Sequence, residues 1–270
     1  MRAFRVTVPE PDEDLATALL WEAGTAGIEV GAATAGRTAL LAYFRTEVSF
    51  VRLEETIADA AVEEVPVPEV DWVARFRESF RAFRVGRFVI APPWDQPSGG
   101  HDVVLVDPGQ AFGTGTHETT RLCLRALEDL AVGRSLGRVI DVGAGTGILG
   151  LAAVRLGARL AVASDNDPDA TASARRHAVL NAASLHVVRG DGAAPFLPGA
   201  FDLVVSNLTA PLLVAQAEPL IALRRPGGAL VLSGLLEEDL GKVQAAYRAC
   251  GDPEVRREGE WAALVYRGAA

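Results

Sequence analysis

The chain is short of lysine, of cysteine and of long apolar runs, and each shortage narrows what it can be. Lys242 is the one lysine among 26 basic residues, so 25 are arginine. Alongside the abundance of alanine and glycine this reads as genome composition and carries no function. Basic residues are outnumbered by 35 acidic ones, for a formal net charge of −9. A generic nucleic-acid binder presents a basic face to the phosphates, so no direct nucleic-acid specificity is expected. An acidic chain is better suited to a small molecule or a basic protein partner. The two cysteines, Cys123 and Cys250, lie far apart in expected helices; they read as reduced, buried thiols of a cytoplasmic protein. No apolar run approaches the roughly 18–20 residues that cross a bilayer, so no membrane association is expected. The start, MRAFRVTVPEPDED, alternates and then turns acidic, unlike a signal peptide. Repeats and low-complexity segments are absent.

What remains is an ordinary globular composition, 49% hydrophobic and 23% charged over 270 residues, enough for a large domain with a small one. Residues 1–66 alternate strand, helix, strand, strand, helix: RAFRVTV, Asp12 to Ala23, GIEVG, TALLAYF, then Val48 to Ala61. This is a small α+β unit of ferredoxin-like, split-βαβ character. It carries 12 acidic residues against 5 arginines, a net of −7 on a quarter of the length. Such a face is either a solvated surface or a docking surface for a basic macromolecule. Residues 67–100 read as a linker: the prolines of EVPVPEVDW stop regular structure, and WVARFRESFRAFRV is a short helix with Trp72, Phe76, Phe80 and Phe83 on one face, most simply a packing stripe. Residues 101–270 then alternate β and α with several strands apolar throughout, the pattern of a doubly wound parallel sheet covered on both faces.

VIDVGAGTGILG, residues 139–150, is a strand, a tight glycine turn and a helix start. Gly145, Gly147 and Gly150 formally match the dinucleotide fingerprint G-x-G-x-x-G, which keeps an NAD-binding oxidoreductase as an alternative. Two features favour S-adenosylmethionine instead. Asp141 ends the strand before the glycines, where an acid can meet the cofactor's ammonium. Gly143, Gly145 and Gly147 alternate, letting bare backbone approach its amino-acid part and ribose. Asp165 follows Gly143 by 22 residues at the next strand end, placed to accept two bonds from vicinal ribose hydroxyls. Asp191, in RGDG, is either an adenine contact or a turn aspartate.

Asn207 ends the strand FDLVVSN, where it would face the cofactor's methyl group. Asn-Leu-Thr-Ala stands there, not the Asn-Pro-Pro-Tyr of enzymes that grip planar amides or base amines, which fits an sp³ amine such as lysine. An asparagine carbonyl can accept one N–H of that amine and aim its lone pair. His117 is open to two readings, general base or positioning group.

The opening part of the catalytic half, DPGQAFGTGTHETT at 107–120, belongs to a resemblance that spans the chain. Pro108 to Thr120 match Pro-Gly-x-Ala-Phe-Gly-Thr-Gly-x-His-x-Thr-Thr of the PrmA family of ribosomal protein methyltransferases. DWVARFRESF, DVGAGTGIL, DNDP, FDLVVSNL, LSGLL and EGEWAAL resemble further family motifs in the same order, though Phe76 stands where the family usually has tryptophan. The resemblance implies a seven-stranded S-adenosylmethionine-dependent domain preceded by a substrate-recognition domain, acting as a monomer to trimethylate lysine ε-amino and N-terminal amino groups of the free, basic ribosomal protein of the large-subunit stalk base; the alternative acceptor is the lysines of another protein. It implies cofactor contacts at Thr120, Gly143, Asp165 and Asn207, and a loop in which Phe112, Gly113, Thr114 and Gly115 line the methyl-transfer channel.

Overall fold

The computed structural model describes residues 2–31, 36–44, 48–57, 59–66, 80–97, 102–107 and 113–268. They fall into two units, Met1–Trp72 and Val73–Ala270. Residues 67–79, most of the aromatic helix expected over 72–85, lie outside the described residues; its end is not helical, because Phe83–Val85 is a strand that pairs antiparallel with Phe88–Ala91 across the turn at Gly86.

The first unit runs β1 (Arg2–Pro9), α1 (Glu13–Glu22), β2 (Gly27–Val30), β3 (Arg37–Phe44), α2 (Val51–Thr56) and β4 (Ala61–Val65). Its sheet is antiparallel in the order β2-β3-β1-β4. Period-two alternation on β1 and β3 turns Phe4, Val6, Val8, Leu40, Ala42 and Phe44 to one side, where Leu19 and Leu20 of α1 and Leu53 of α2 cover them. The sequence reading placed a helix over Val48 to Ala61 and no strand after it. The helix is shorter, and the edge strand β4 completes a βαββαβ unit. AVEEV shows too little apolar alternation to announce a strand. Its glutamates are instead cross-strand partners of β1, Arg2 to Glu64 at 2.6 Å and Arg5 to Glu63 at 3.4 Å.

The second unit holds a three-stranded sheet, β5 (Phe83–Val85), β6 (Phe88–Ala91) and β7 (Val103–Leu105), and a seven-stranded one. The seven strands are β8 (Arg138–Val142), β9 (Leu160–Asp165), β10 (Leu185–Arg189), β11 (Phe201–Asn207), β12 (Arg224–Leu236), β13 (Glu254–Glu258) and β14 (Trp261–Tyr266), ordered β10-β9-β8-β11-β12-β14-β13. Six run in one direction, and β14, lying between β12 and β13, is antiparallel to both. The expected doubly wound, seven-stranded sheet is thus present. One strand is reassigned: 103–107 was read as opening the main alternation, but Val103–Leu105 pairs with β6. Asn181 fastens it, its Oδ1 accepting from Leu105 N (2.8 Å) and its Nδ2 donating to Leu105 O (2.7 Å).

Both faces of the main sheet are covered. Val139, Leu203, Val205 and Val231 point to α3 (Glu118–Leu130) and α4 (Ile148–Arg155). Ile140, Val204, Leu230 and Leu232 point to α6 (Ala210–Ala215), α7 (Ala217–Leu223) and α8 (Leu240–Ala246). The helix expected over Pro211–Leu223 is broken at Gln216 into two. α5 (Pro168–Leu180) starts on Asp167, whose side chain accepts from Asp169 N. Cys123 is fully buried and burial pushes its thiol up to about 12, whereas Cys250 is half-buried rather than buried; both are free. Among the described residues no helix is long and apolar enough to cross a membrane.

The chain moves outward from β8 to β9 and β10, then returns to the other side of β8 as β11. The switch point therefore lies at the carboxyl ends of β8 and β11, where open α/β sheets bind ligands. The core beneath it tolerates little. Leu124, at 0% exposure on α3, truncated to alanine costs about 2–5 kcal/mol. Val132→Ala, at a 75% exposed position, stays within about 0.5 kcal/mol of wild type. Denaturant unfolding of the two variants measures the contrast.

Candidate functional site

A cavity of about 500 Å³ opens at that switch point. Five neighbouring strands contribute: Gly143 and Gly145 after β8, Asp165 at the end of β9, Asp191 after β10, Asn207 at the end of β11 and Gly234 within β12. His117, Thr119 and Trp261 close one side. Six residues singled out in the sequence, His117, Gly143, Gly145, Asp165, Asp191 and Asn207, thus share one cavity.

The glycine turn is bare by necessity. Gly143 has φ +75°, and a Cβ there would come within 2.4 Å of Leu208 Cδ2. Its N–H donates to Ser164 O at 2.9 Å, joining the turn to β9. Gly145 N donates to Asp165 Oδ2, also at 2.9 Å. The later glycines do other work. A Cβ on Gly147 would press on Ala174 and one on Gly150 would lie 2.7 Å from Leu185 Cδ1, so both serve packing against α5 and β10. Of the formal dinucleotide match only Gly145 faces the cavity.

Two carboxyls stand close by in different surroundings. Asp165 is half-exposed, and each of its oxygens takes one backbone bond, Oδ2 from Gly145 and Oδ1 from Asp167 N at 3.0 Å. One lone pair on each remains for a ligand. Asp141 is 1% exposed and does not line the cavity. Its Oδ2 accepts from Gly150 N at 3.2 Å, while Oδ1 is buried with no hydrogen-bond partner. Burial pushes its pKa up to about 7; the Gly150 bond opposes that shift and the negative charge of Asp165 adds to it.

The reacting edge is a hydrogen-bonded chain. Asn207 Nδ2 donates to Thr119 Oγ1 (3.2 Å) and Thr120 Oγ1 (3.4 Å). Thr119 Oγ1 lies 2.8 Å from His117 Nδ1, and Thr119 N–H donates to the same nitrogen at 3.3 Å. His117 is the N-cap of α3 and meets the Trp261 indole edge to face, centroids 4.8 Å apart. Thr120 is buried and does not line the cavity. α3 is held to β13 by Arg121, 2.7 Å from Glu258 Oε1, and by Arg125, 3.0 Å from Glu258 Oε2; Arg121 also donates to Thr116 O.

Gly113, Thr114 and Gly115 do not line this cavity. Gly113 O accepts from Thr146 Oγ1 at 2.6 Å, and a Cβ on Gly115 would lie 3.0 Å from Ile148 Cδ1, so the loop rests on the start of α4. Thr114 Oγ1 bonds Thr116 Oγ1 at 2.9 Å. Phe112 lies outside the described residues. Sequence reasoning missed Thr119, Trp261, Leu208 and Gln216 as lining residues. Thr119 was visible as the first threonine of the Thr-Thr pair, and Trp261 as the aromatic of EGEW; nothing local marked Leu208 or Gln216.

The comparisons agree with this architecture. The family described as ribosomal protein L11 methyltransferase (PrmA) matches residues 5–268. A protein of Geobacter sulfurreducens named ribosomal protein L11 methyltransferase is 46% identical over 214 residues, 75% of this chain and 70% of that one. One of the same name from Pelobacter propionicus is 45% identical over 213 residues, 76% of this chain and 69% of that one. The crystal structure of ribosomal protein L11 methylase from Lactobacillus delbrueckii subsp. bulgaricus superposes with a TM-score of 0.62 at 29% identity, covering 70% of this chain and all of that one. The Thermus thermophilus 16S rRNA methyltransferase RsmC, solved with AdoMet and guanosine, shares the fold at TM-score 0.50 and 18% identity, covering 98% of this chain and 65% of that one.

Asp141 yields a pH prediction. Its folded pKa, about 7, stands above the ordinary 3.8, so the neutral form is favoured in the fold. The cost of ionising it grows as pH rises from about 4 to about 7 and levels off above. Asp141→Asn removes that cost. Its melting temperature should exceed that of wild type most above pH 7, with the gap shrinking as pH falls toward 4, at about 2–4 °C per kcal/mol relieved. Calorimetric melting across this range checks it.

Proposed function

The chain belongs to the ribosomal protein L11 methyltransferase family, and from that premise we propose that it transfers methyl groups from S-adenosylmethionine to amino groups of ribosomal protein L11. On this reading the acceptors are lysine ε-amino groups, carried to the trimethyl state, together with the N-terminal α-amino group. The observation that carries it is the single cavity that holds the bare turn Gly143–Gly145, Asp165 and Asn207 at the carboxyl edge of the sheet. Family membership sets aside the NAD reading of the same glycines.

The residues present fit S-adenosylmethionine. A cavity of about 500 Å³ falls in the usual range of roughly 300–1,000 Å³ for small-molecule sites. Gly143 and Gly145 would admit its amino-acid end to bare backbone. Asp165 keeps two acceptor positions for the two ribose hydroxyls, and Asp191, exposed at the cavity wall, would stand by the adenine. Thr120 would act behind Asn207, and Asp141 behind the turn. When bound, the cofactor would supply an electrophilic methyl on a sulfonium, from which the amine nitrogen would displace the neutral thioether in line.

The chain's own task is to present that amine neutral and aimed. A lysine of pKa near 10.4 needs ~4.6 kcal/mol to be neutral at pH 7, at 1.36 kcal/mol per unit. Removal from water lowers this cost, and Asn207 Oδ1 would accept one N–H and orient the lone pair. The geometry supports a positioning role for His117 over a general base. Its Nδ1 already accepts from Thr119 N, and a neutral ring that is bare at Nδ1 carries its proton at Nε2. Residues 1–66 would recognise the substrate, 67–100 link, and 101–270 carry out transfer. The net charge of −7 on residues 1–66 supports attraction to a basic protein. The enzyme on this reading is a cytoplasmic monomer acting on the free ribosomal protein.

Intact-mass spectrometry of free ribosomal protein L11, incubated with S-adenosylmethionine and enzyme, should show gains in steps of one methylene. Asn207→Ala should slow them on the order of 100-fold. No gain from wild type that binds the cofactor would discard the substrate. Gly143→Ala, which drives a methyl into Leu208, should weaken S-adenosylmethionine at least about tenfold, ~1.4 kcal/mol, by titration calorimetry; unchanged affinity would remove the turn from the cofactor site.

A further inference from the structure

We propose that the Thr119 hydroxyl sets the direction of the Asn207 side-chain amide, holding its carbonyl toward the acceptor amine, and is thereby a positioning residue of methyl transfer. The inference rests on the methyl-transfer reading above and adds to it a residue and the polarity of the acceptor site.

The direction follows from which groups can donate. A backbone N–H only donates, and Thr119 N lies 3.3 Å from His117 Nδ1. That ring nitrogen is therefore a lone pair. The Thr119 hydroxyl, 2.8 Å from the same nitrogen, must then give its proton to it. What the hydroxyl has left is lone pairs, and the group facing them is one end of the Asn207 amide at 3.2 Å. That end must be the NH2. Its second hydrogen goes to Thr120 Oγ1 at 3.4 Å. Both amide hydrogens are thus spent inside the protein, and Oδ1 is turned to the other side.

On that side stands Gly234, where a Cβ would come 3.2 Å from Asn207 Oδ1 and 2.3 Å from Leu208 O. A side chain at 234 would crowd the carbonyl, so glycine keeps its surroundings clear. Asn207 and Gly234 both line the cavity. An outward carbonyl accepts from an amine; an outward NH2 would face a lysine with another donor. Orientation of this one amide therefore separates amine acceptors from carbonyl-like ones.

The relay is anchored at both ends. Thr119 is 1% exposed, β-branched and stiff at χ1, and its carbonyl accepts from Ser233 Oγ of β12 at 3.1 Å. His117 is held as the α3 N-cap against Trp261. Thr120 alone does not fix the amide, because a hydroxyl with no assigned donor role can serve either end of it.

Thr119→Val keeps the shape and deletes the hydroxyl; Thr119→Ser keeps the hydroxyl. With ribosomal protein L11 as acceptor, Thr119→Val should lower kcat about 10- to 100-fold, leave S-adenosylmethionine affinity within about threefold of wild type, and be rescued by Thr119→Ser. Undiminished kcat in Thr119→Val, cofactor affinity lost in step with kcat, or failure of Thr119→Ser to rescue would overturn the proposal. A readout independent of turnover separates it from the reading it rests on. The Asn207 side-chain NH2 resonances, assigned by their loss in Asn207→Asp, should exchange with solvent faster in Thr119→Val than in wild type or Thr119→Ser. Equal exchange in all three overturns the role of Thr119 whether or not L11 is methylated; absent methylation by wild type overturns only the function.

Discussion

Everything at the switch point depends on one backbone position that can carry no side chain. Gly143 lies where a Cβ would meet Leu208 at 2.4 Å, and it occupies the left-handed region that side-chain-bearing residues avoid. Because Gly143 is bare the turn can lie close to two neighbours at once. Ser164 O receives the N–H groups of Gly143 and Ala144 at 2.9 and 3.1 Å. Asp165 receives Gly145, and Asp141 receives Gly150. The turn, the strand beside it and the first turn of α4 are thus one hydrogen-bonded piece, and the cavity floor is set by main-chain geometry rather than by adjustable side chains.

The opposite wall is built from farther away. His117 and Thr119 come from the amino end of α3, Asn207 from β11 and Trp261 from β14. Their meeting depends on how α3 is fixed. Arg121 and Arg125 share Glu258 on β13, and Ser233 on β12 bonds the Thr119 carbonyl. These ion pairs are partly buried and span more than a hundred residues of sequence, so they act less as a source of stability than as a register that keeps the helix start opposite the end of β11. A shift of α3 along its axis would carry His117 and Thr119 away from Asn207 together.

Period and punctuation made most of the fold legible. Apolar strands, each followed by a helix start, announced the doubly wound sheet, and the alternating β1 and β3 announced the small unit. What was illegible was short or charged. β4 is written in glutamates that pair with arginines rather than in apolar alternation. β7 is apolar like its successors, and only its pairing with β6 and its fastening to Asn181 show that it belongs to another sheet. The same division runs through the site. Residues that follow a strand in sequence, such as Gly143, Asp165 and Asn207, could be placed at one edge by counting. Thr119, Trp261 and Gln216 reach that edge through tertiary packing, which no local pattern records. Asp141 was placed by sequence at the strand end, yet its side chain turns into the sheet, because its oxygen is needed by Gly150 at the start of α4.

The absence of Pro-Pro-Tyr after Asn207 now has a physical counterpart. Enzymes that act on planar amides or bases need a surface on which to stack them, supplied immediately after the strand-end residue. Here the segment after Asn207 is Leu208, whose side chain fills the space above Gly143, and Thr209, which starts α6. The nearby aromatic ring, Trp261, comes from a different strand and is engaged edge to face with His117. With no stacking platform following the strand, discrimination among acceptors on the proposed reading falls to hydrogen-bond polarity. A single amide whose two hydrogens are committed inward can recognise only a donor. A primary or partly methylated amine is such a donor until its last N–H is replaced. On the proposed reading each methyl added removes one N–H that Asn207 could hold; the neutral dimethylamine already has none, so the last transfer would proceed without that bond.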